Sequence, residues 1–236
     1  MARKKHIIAL TGYSGVGKDT VADLLVTHLG FRKMAFADAL RAEISEGFGI
    51  EIAYLTHPST KHHPMTALAM RKAPLGFIGA VALTVGAQHR TLGGHLQDEW
   101  LDQPRAPRQI LQWWGTEYRR RQHDRYWTRI MLQRLVELGR MGDDRFVITD
   151  CRFHNEADMI HAAGGVIWQI TRPGIDASST SEGAHVSAVD GSAFKPSAVI
   201  ANSHDIGHLQ RIVLDEFLSL ESGVRREPAE GSAACA

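Results

Sequence analysis

The chain has 236 residues, of which 44% are hydrophobic and 22% charged, so it can bury a sizeable core without disulfides or metals. Its formal net charge of +1 excludes the broad positive field that is typical of proteins bound to duplex DNA. Two cysteines, Cys151 and Cys235, stand far apart and outside any CxxC pattern. This usage disfavours a disulfide framework and a cysteine-based zinc site, and it favours a reducing compartment.

From the sequence we expect no targeting or membrane segment. The basic start of the chain precedes an apolar run at residues 7–10 that is too short for the core of a signal peptide. No apolar stretch approaches the length of a membrane span. We therefore expect a cytoplasmic protein with no nucleic-acid partner and no membrane partner.

Apolar runs and helical periods alternate along the chain in the order expected of an α/β fold. Residues 7–10 predict a buried parallel strand, and apolar residues at helical spacing follow as far as Gly30. A second strand is predicted at residues 31–36 and a helix at residues 38–46. Strand, glycine-rich turn, helix and strand are the usual opening of that fold class.

The alternation continues in the second half of the chain. Strands are predicted at residues 146–149 and 166–170, with a helix at residues 156–163 between them. Asn155 is the predicted N-cap of that helix, and two glycines end it.

We predict a single domain over residues 1–221. A last strand at residues 197–201 and an amphipathic helix at residues 209–220 close it. Residues 51–107, which are irregular in pattern, are predicted to be an insertion that covers a site. Residues 222–236 are small and polar, and they predict a disordered tail.

A glycine-rich loop follows the first predicted strand. Residues 12–18 read Gly-Tyr-Ser-Gly-Val-Gly-Lys and fit G-x-x-x-x-G-K between a strand and a helix, the context that confirms this pattern. Its glycines let backbone N–H groups turn inward around a phosphate, and the helix start adds a favourable dipole. Lys18 can reach the β- and γ-phosphates. The loop therefore predicts a site for a nucleoside triphosphate.

The residue after the lysine departs from the usual pattern. Asp19 stands where a Ser or Thr usually holds magnesium, and Thr20 follows it. Asp19 either binds the metal through water or favours the helix start as an early acidic residue, and the sequence leaves both open. Thr20 still offers a hydroxyl to a phosphate.

A helix is predicted over residues 107–121, with a proline at its start. Along it Arg108, Gln112, Thr116 and Arg119 follow at spacings of four, four and three, which places them on one polar stripe. Arginine can bind a phosphate bidentately and glutamine can recognise a base edge. The stripe therefore predicts a surface for a second nucleotide, with a solvated helix face as the alternative.

Further candidates lie downstream of that helix. Trp127 either stacks on a nucleobase or belongs to the core. Asp150 ends a buried strand and is followed by Arg152, and ligands of open α/β sheets bind at the carboxyl ends of strands. Asp150 could position magnesium-bound water or a substrate hydroxyl, and Arg152 could neutralise a transferring phosphoryl group. The alternative is an ion pair of these two side chains that fixes the loop.

Together these segments resemble the phage-type deoxynucleoside monophosphate kinases, which belong to the adenylate-kinase-like P-loop kinases. The resemblance covers residues 7–220 in patches and rests on their order. The patches are Gly17-Lys18-Asp19-Thr20, Arg108 through Gln112 to Gly115-Thr116, Tyr126-Trp127, Asp150-x-Arg152 with Glu156, and Thr171-Arg172-Pro173-Gly174.

The resemblance implies a P-loop NTPase core, in which a parallel sheet forms a three-layer α/β/α arrangement. It adds a helical monophosphate-binding insertion at about residues 51–107 and a lid at about residues 172–196. It implies an enzyme that transfers the γ-phosphoryl group of ATP to a deoxynucleoside monophosphate with Mg²⁺. The location would be the host cytoplasm for a phage-encoded member, and a homodimer is left open.

The resemblance also assigns roles to residues. The donor nucleotide would be held by Ser14, Gly15, Gly17, Lys18, Asp19, Thr20 and Arg172. The acceptor would be bound by Arg108, Gln112, Thr116, Trp127, Asp150, Arg152 and Glu156. Lys18, Asp150 and Arg152 would act in catalysis. The magnesium candidates are Asp19 and, through water, Asp150.

One departure leaves the lid chemistry open. After Arg172 the family often has His-x-Ser/Thr-Glu, whereas here residues 185–188 read His-Val-Ser-Ala and lack the acid. Two alternative functions also remain. One is a P-loop kinase of another small metabolite, such as dephospho-coenzyme A. The other is a nucleotide-binding regulatory protein that hydrolyses ATP slowly or not at all.

Overall fold

The computed structural model describes residues 5–57, 59–91, 93–175 and 195–223. The predicted lid at residues 172–196 therefore lies mostly outside the described residues, and so does the predicted tail beyond Gly223. The departure noted at residues 185–188 lies outside them as well. These expectations stay predictions.

The chain forms two compact units. The sheet unit consists of Met1–Ala35 and Leu132–Ala236, and the helical unit consists of Phe36–Met131. The predicted domain bounds, with an insertion at residues 51–107, stay a prediction. Among the described residues, no helix is both long enough and apolar enough to cross a bilayer.

The sheet unit is built on five parallel strands in the order β2-β3-β1-β4-β5. The strands are β1 His6–Thr11, β2 Arg32–Met34, β3 Arg145–Ile148, β4 Val166–Thr171 and β5 Ala198–Ala201. All six residues of β1 are buried, as their continuous apolar run predicts for a central parallel strand. The predicted α/β class with a parallel sheet is confirmed. β2 is shorter than predicted because a helix already begins at Phe36.

Helices flank this sheet. They are α1 Lys18–Leu29, α8 His154–Ala162 and α9 Ile206–Ser222, and α7 Tyr126–Arg140 runs from the helical unit into the sheet unit. α1 packs against α9, and the rings of Phe31 and Phe217 meet edge to face at 5.3 Å between centroids. Gly30 ends α1 in a left-handed conformation, as predicted.

The predicted N-cap of α8 is wrong. The helix starts at His154, Phe153 is its N-cap, and Asn155 lies inside the first turn. The N–H group of Phe153 donates to the carboxylate of Glu156, three residues further along. This side chain therefore supplies a hydrogen-bond acceptor at the helix start.

The helical unit contains α2 Phe36–Phe48, α3 Ala53–Thr56, α4 Leu75–Thr84, α5 Asp98–Asp102 and α6 Pro107–Gln112, followed by a π-helix at Trp113–Arg120. An aromatic cluster forms part of its core. The rings of Phe77 and Trp114 lie 4.6 Å apart, and Tyr118 meets Trp114 edge to face at 5.4 Å.

The helix predicted at residues 107–121 is present, but its α-helical period ends at Gln112. In a π-helix the backbone hydrogen bonds join residues five apart and each turn is wider, so a spacing of three no longer keeps two residues on one face. The predicted single stripe that starts at Arg108 is therefore wrong at its last member, Arg119, which follows Thr116 by three residues.

We predict that Gly165→Ala destabilises the sheet unit. A Cβ at this position would lie 2.9 Å from the carbonyl oxygen of Ile7 on β1 and 2.9 Å from a methyl group of Ile160. Such overpacking should lower the free energy of unfolding by about 1–3 kcal/mol in urea titrations.

Gly139→Ala is the matched control, because nothing lies within 4 Å of its added Cβ and the position is helical. It should raise the free energy of unfolding by about 0.5–1 kcal/mol. Equal effects of the two substitutions would contradict the packing of Gly165 against β1.

Candidate active site

The glycine-rich loop at residues 12–18, called the phosphate loop below, leaves β1 through a glycine that no other residue can replace without strain. Gly12 has φ 130°, and a Cβ there would lie 2.3 Å from the carbonyl oxygen of Ile170 on β4. Both facts require glycine, because only glycine adopts this conformation freely and brings one backbone this close to another.

The start of α1 is arranged to present backbone N–H groups. Gly17 is its N-cap in the left-handed region and has no side chain with which to cap the first turn. The ammonium group of Lys18 donates to the carbonyl oxygens of Gly12 and Tyr13, each at 2.7 Å. Ser14 and Gly15 are exposed at the tip of the loop. A lysine held across such a loop, at a helix N-terminus, suits a bound phosphate.

Asn202, which the sequence reasoning missed, braces this loop from the end of β5. Its side-chain amide donates to the carbonyl oxygen of Val16 at 2.9 Å, and its backbone N–H donates to Thr171 at 2.8 Å. A Cβ at Gly17 would lie 2.5 Å from the same amide nitrogen. A lone asparagine after a strand carries no local pattern, so only the fold reveals its role.

Asp19 lies in the first turn of α1, and its carboxylate is 3.1 Å from the ammonium group of Lys33. Its side chain is 81% exposed. Burial alone would lower the pKa of Lys33, but hydrogen bonds to Asp23 and Asp19 outweigh burial and raise it. Thr20 is exposed on the same turn. Binding of magnesium by Asp19 stays a prediction.

The segment after β3 lies at the same edge of the sheet as the phosphate loop. The N–H of Cys151 donates to the carbonyl of Leu10 on β1 at 3.2 Å, which places Asp150 and Arg152 beside the end of the central strand. Cys151 itself is buried, and burial raises the pKa of its thiol. It therefore acts as a small core residue and not as a nucleophile.

Glu156 holds the loop that carries Asp150 and Arg152. Its carboxylate is buried and accepts the backbone N–H groups of Arg152 at 2.8 Å and Phe153 at 3.1 Å. These contacts favour a role in fixing the loop. Direct contact of Glu156 with a substrate stays a prediction.

The remaining acceptor candidates lie in the helical unit. Arg108 and Gln112 are half-buried on α6, and Thr116 is half-buried in the π-helix. Trp127 is buried, and its indole N–H donates to the carbonyl of Gly115 at 3.2 Å. Burial and this hydrogen bond fit the alternative that Trp127 belongs to the core. Stacking on a nucleobase would require its buried ring to become exposed.

Arg172 is exposed directly after β4, and its carbonyl accepts the N–H of Ile175 in a turn. The structure describes this segment only as far as residue 175. The predicted role of Arg172 near the donor or the lid is therefore untested.

Comparison with known proteins points to one family. The family model described as deoxynucleotide monophosphate kinase matches residues 95–213, about half of the chain. A protein of Acanthamoeba polyphaga mimivirus with the provisional name deoxynucleotide monophosphate kinase is 27% identical over 230 residues. That alignment covers 90% of this chain and 92% of the viral protein.

Two solved structures are similar at a lower level. Dephospho-CoA kinase from Campylobacter jejuni is 14% identical with a TM-score of 0.45, covering 92% of this chain and 97% of that one. A sugar kinase from Janibacter sp. HTCC2649 is 13% identical with a TM-score of 0.43, covering 95% and 100%. Similarity at this level assigns no activity.

We predict that Asn202→Ala weakens binding of ATP by the phosphate loop. Loss of the bond to Val16 should let the loop relax and raise KM for ATP about threefold to tenfold, the value of one ordinary hydrogen bond. Steady-state kinetics measures this, with Ser203→Ala on the neighbouring exposed residue as the control. An unchanged KM for ATP in Asn202→Ala would show that the brace is not needed.

A second prediction separates the two roles of Glu156. Glu156→Ala leaves two backbone N–H groups without their acceptor, so the free energy of unfolding should fall by about 1–3 kcal/mol. Glu156→Gln keeps an acceptor oxygen and should lose less. If Glu156→Ala unfolds like the wild type but binds substrate poorly, the carboxylate is a substrate contact instead.

Proposed function

The chain belongs to the deoxynucleotide monophosphate kinase family, and from this premise we propose that it transfers the γ-phosphoryl group of ATP to a deoxynucleoside monophosphate. The products are ADP and the deoxynucleoside diphosphate. The family match over residues 95–213 carries the proposal. The phosphate loop at residues 12–18 lies outside that match, so it supports the donor half of the reaction independently.

On the donor side, the proposal places the triphosphate against the loop that Asn202 braces. Gly15 and Gly17 supply backbone N–H groups, and the first turn of α1 adds those of its uncapped start. Lys18 would leave the carbonyls of its own loop, or share its protons with them, to neutralise the β- and γ-phosphates. Ser14, Asp19, Thr20 and Arg172 complete the proposed donor contacts.

On the acceptor side, Asp150 and Arg152 stand at the carboxyl edge of the sheet on a loop that Glu156 fixes. Arg152 would stabilise charge on the phosphoryl group during transfer. Arg108, Gln112, Thr116 and Trp127 are the proposed contacts for the monophosphate in the helical unit.

The reaction would be a direct in-line displacement. An oxygen of the acceptor phosphate forms a bond to the γ-phosphorus, and the bond from that phosphorus to the β-phosphate oxygen breaks. Its electron pair leaves with ADP. The acceptor phosphate is already an anion at neutral pH, so the enzyme needs to position and neutralise charge and does not need a covalent intermediate.

The residues present fit a nucleotide-bound magnesium ion. The described residues contain no group of three or more His, Cys, Asp or Glu that would hold a metal alone. Magnesium in kinases needs only one or two carboxylates, because substrate phosphates and water fill its other positions. Asp19 and Asp150 could supply these. When bound, the ion would neutralise charge on the β- and γ-phosphates.

The proposal includes a cytoplasmic location, small-molecule substrates, and no nucleic-acid or membrane partner. A homodimer is left open. The first alternative function is a kinase of another small metabolite. Membership in a family of deoxynucleotide kinases favours a nucleoside monophosphate over dephospho-coenzyme A as the acceptor. A regulatory protein would bind ATP without acceptor-dependent turnover.

Incubation with ATP, Mg²⁺ and each deoxynucleoside monophosphate in turn should give ADP formation that depends on at least one acceptor. Lys18→Ala should lower kcat by about 100-fold or more, since one cation that stabilises transition-state charge is removed. The melting temperature of the variant should stay near that of the wild type.

Lys72→Ala, on an exposed turn of the helical unit, is the control and should retain wild-type turnover. Full activity of Lys18→Ala would mean that the donor is bound elsewhere. No acceptor-dependent ADP formation with any deoxynucleoside monophosphate would refute the proposed function.

A further inference from the structure

A half-buried carboxylate organises one end of the helical unit. Glu43 on α2 accepts the indole N–H of Trp114 at 2.8 Å, the Nε–H of Arg119 at 2.7 Å, and the hydroxyl of Tyr126. Burial raises the pKa of Tyr126 to about 12, and the neighbouring Glu43 adds to the shift, so this hydroxyl stays protonated and donates. One carboxylate thereby joins α2, the π-helix and the start of α7.

The π-helix is what brings two of these donors to one acceptor. Trp114 and Arg119 are five residues apart, and in an α-helix they would point about 140° away from each other. In a π-helix, whose hydrogen bonds join residues five apart, the angle between them is much smaller. Both side chains therefore reach Glu43.

Arg119 is held by only part of its guanidinium group. Its central carbon lies 4.4 Å from the ring centroid of Tyr118 and 4.8 Å from that of Tyr126. Glu43 takes the Nε–H. Among the residues that the structure describes, none accepts from the two Nη groups, and the side chain is 24% exposed. The guanidinium group of Arg119, called the fork below, is thus fixed in place, and the edge with its two Nη groups faces solvent.

A purely structural ion pair would be expected to use an Nη group together with Nε. Arg71 in the same unit does so, since its Nε and one Nη both donate to the carboxylates of Asp98 and Asp102. At Glu43, in contrast, the second carboxylate oxygen is taken by Tyr126. The Nη donors of Arg119 therefore remain available to water or to an anion from outside the described residues.

We propose that the Nη edge of Arg119 binds the phosphate of the acceptor nucleotide, with Glu43 and the two tyrosine rings fixing its direction. A phosphomonoester dianion matches a guanidinium edge with two parallel hydrogen bonds, which a lysine cannot reproduce. The inference rests on the proposed function, because it takes the acceptor to be a deoxynucleoside monophosphate.

The test compares Arg119→Lys with Arg121→Lys by calorimetric titration. Arg121 is 59% exposed one helical turn away from Glu117 and serves as the matched control. Three ligands are titrated separately: the deoxynucleoside monophosphate that the wild type turns over fastest, its deoxynucleoside, and ATP. In Arg119→Lys the Kd for the monophosphate should rise about 10-fold or more, while those for the deoxynucleoside and ATP stay unchanged. Arg121→Lys should bind all three like the wild type.

The unchanged Kd for ATP also shows that Arg119→Lys is folded. A wild-type Kd for the monophosphate in this variant overturns the inference and leaves the proposed function intact, provided that wild-type turnover depends on the acceptor. A loss shared equally by the deoxynucleoside, or a loss for ATP, overturns it as well, because the fork would then recognise something other than the acceptor phosphate. If the wild type turns over no monophosphate, the proposed function itself fails.

Discussion

The close approach of the phosphate loop to a carbonyl oxygen of β4 is the constraint on which the site in the sheet unit depends. Gly12 can turn there only because it has no Cβ to meet the carbonyl oxygen of Ile170. On its other side the loop is fixed by the amide of Asn202, which also leaves no room for a side chain at Gly17. Backbone fixed in this way would present its N–H groups to a phosphate with little reorganisation.

The parallel sheet brings a second group of candidate residues to the same edge. Because β3 is the direct neighbour of β1, the loop with Asp150 and Arg152 emerges beside the phosphate loop, and Glu156 holds it there. In the helical unit, Glu43 holds Arg119, the residue that we propose as a contact for the acceptor phosphate. The proposed kinase reaction requires that the two nucleotides meet with their phosphates in line.

Much of the sheet unit was predictable because its signals are local. The apolar run of β1, the glycines of the loop and the apolar spacing of α1 lie within one stretch of sequence and agree with one another. The helices between residues 51 and 107 were not placed, because no regular period marks them. The π-helix was missed because its spacing of five resembles neither an α-helix nor a strand. Asn202 and Glu43 act through contacts with residues 186 and 71 to 83 positions away, which no local pattern encodes.

Amide chemical shifts recorded while a non-hydrolysable ATP analogue is added would show directly whether the backbone N–H groups of the phosphate loop bind the triphosphate. We expect the backbone N–H signals of Gly15, Gly17 and Lys18 to move most, because these groups would become hydrogen-bonded to phosphate oxygens. Saturable binding of the analogue that leaves these three signals in place and moves others would contradict this expectation.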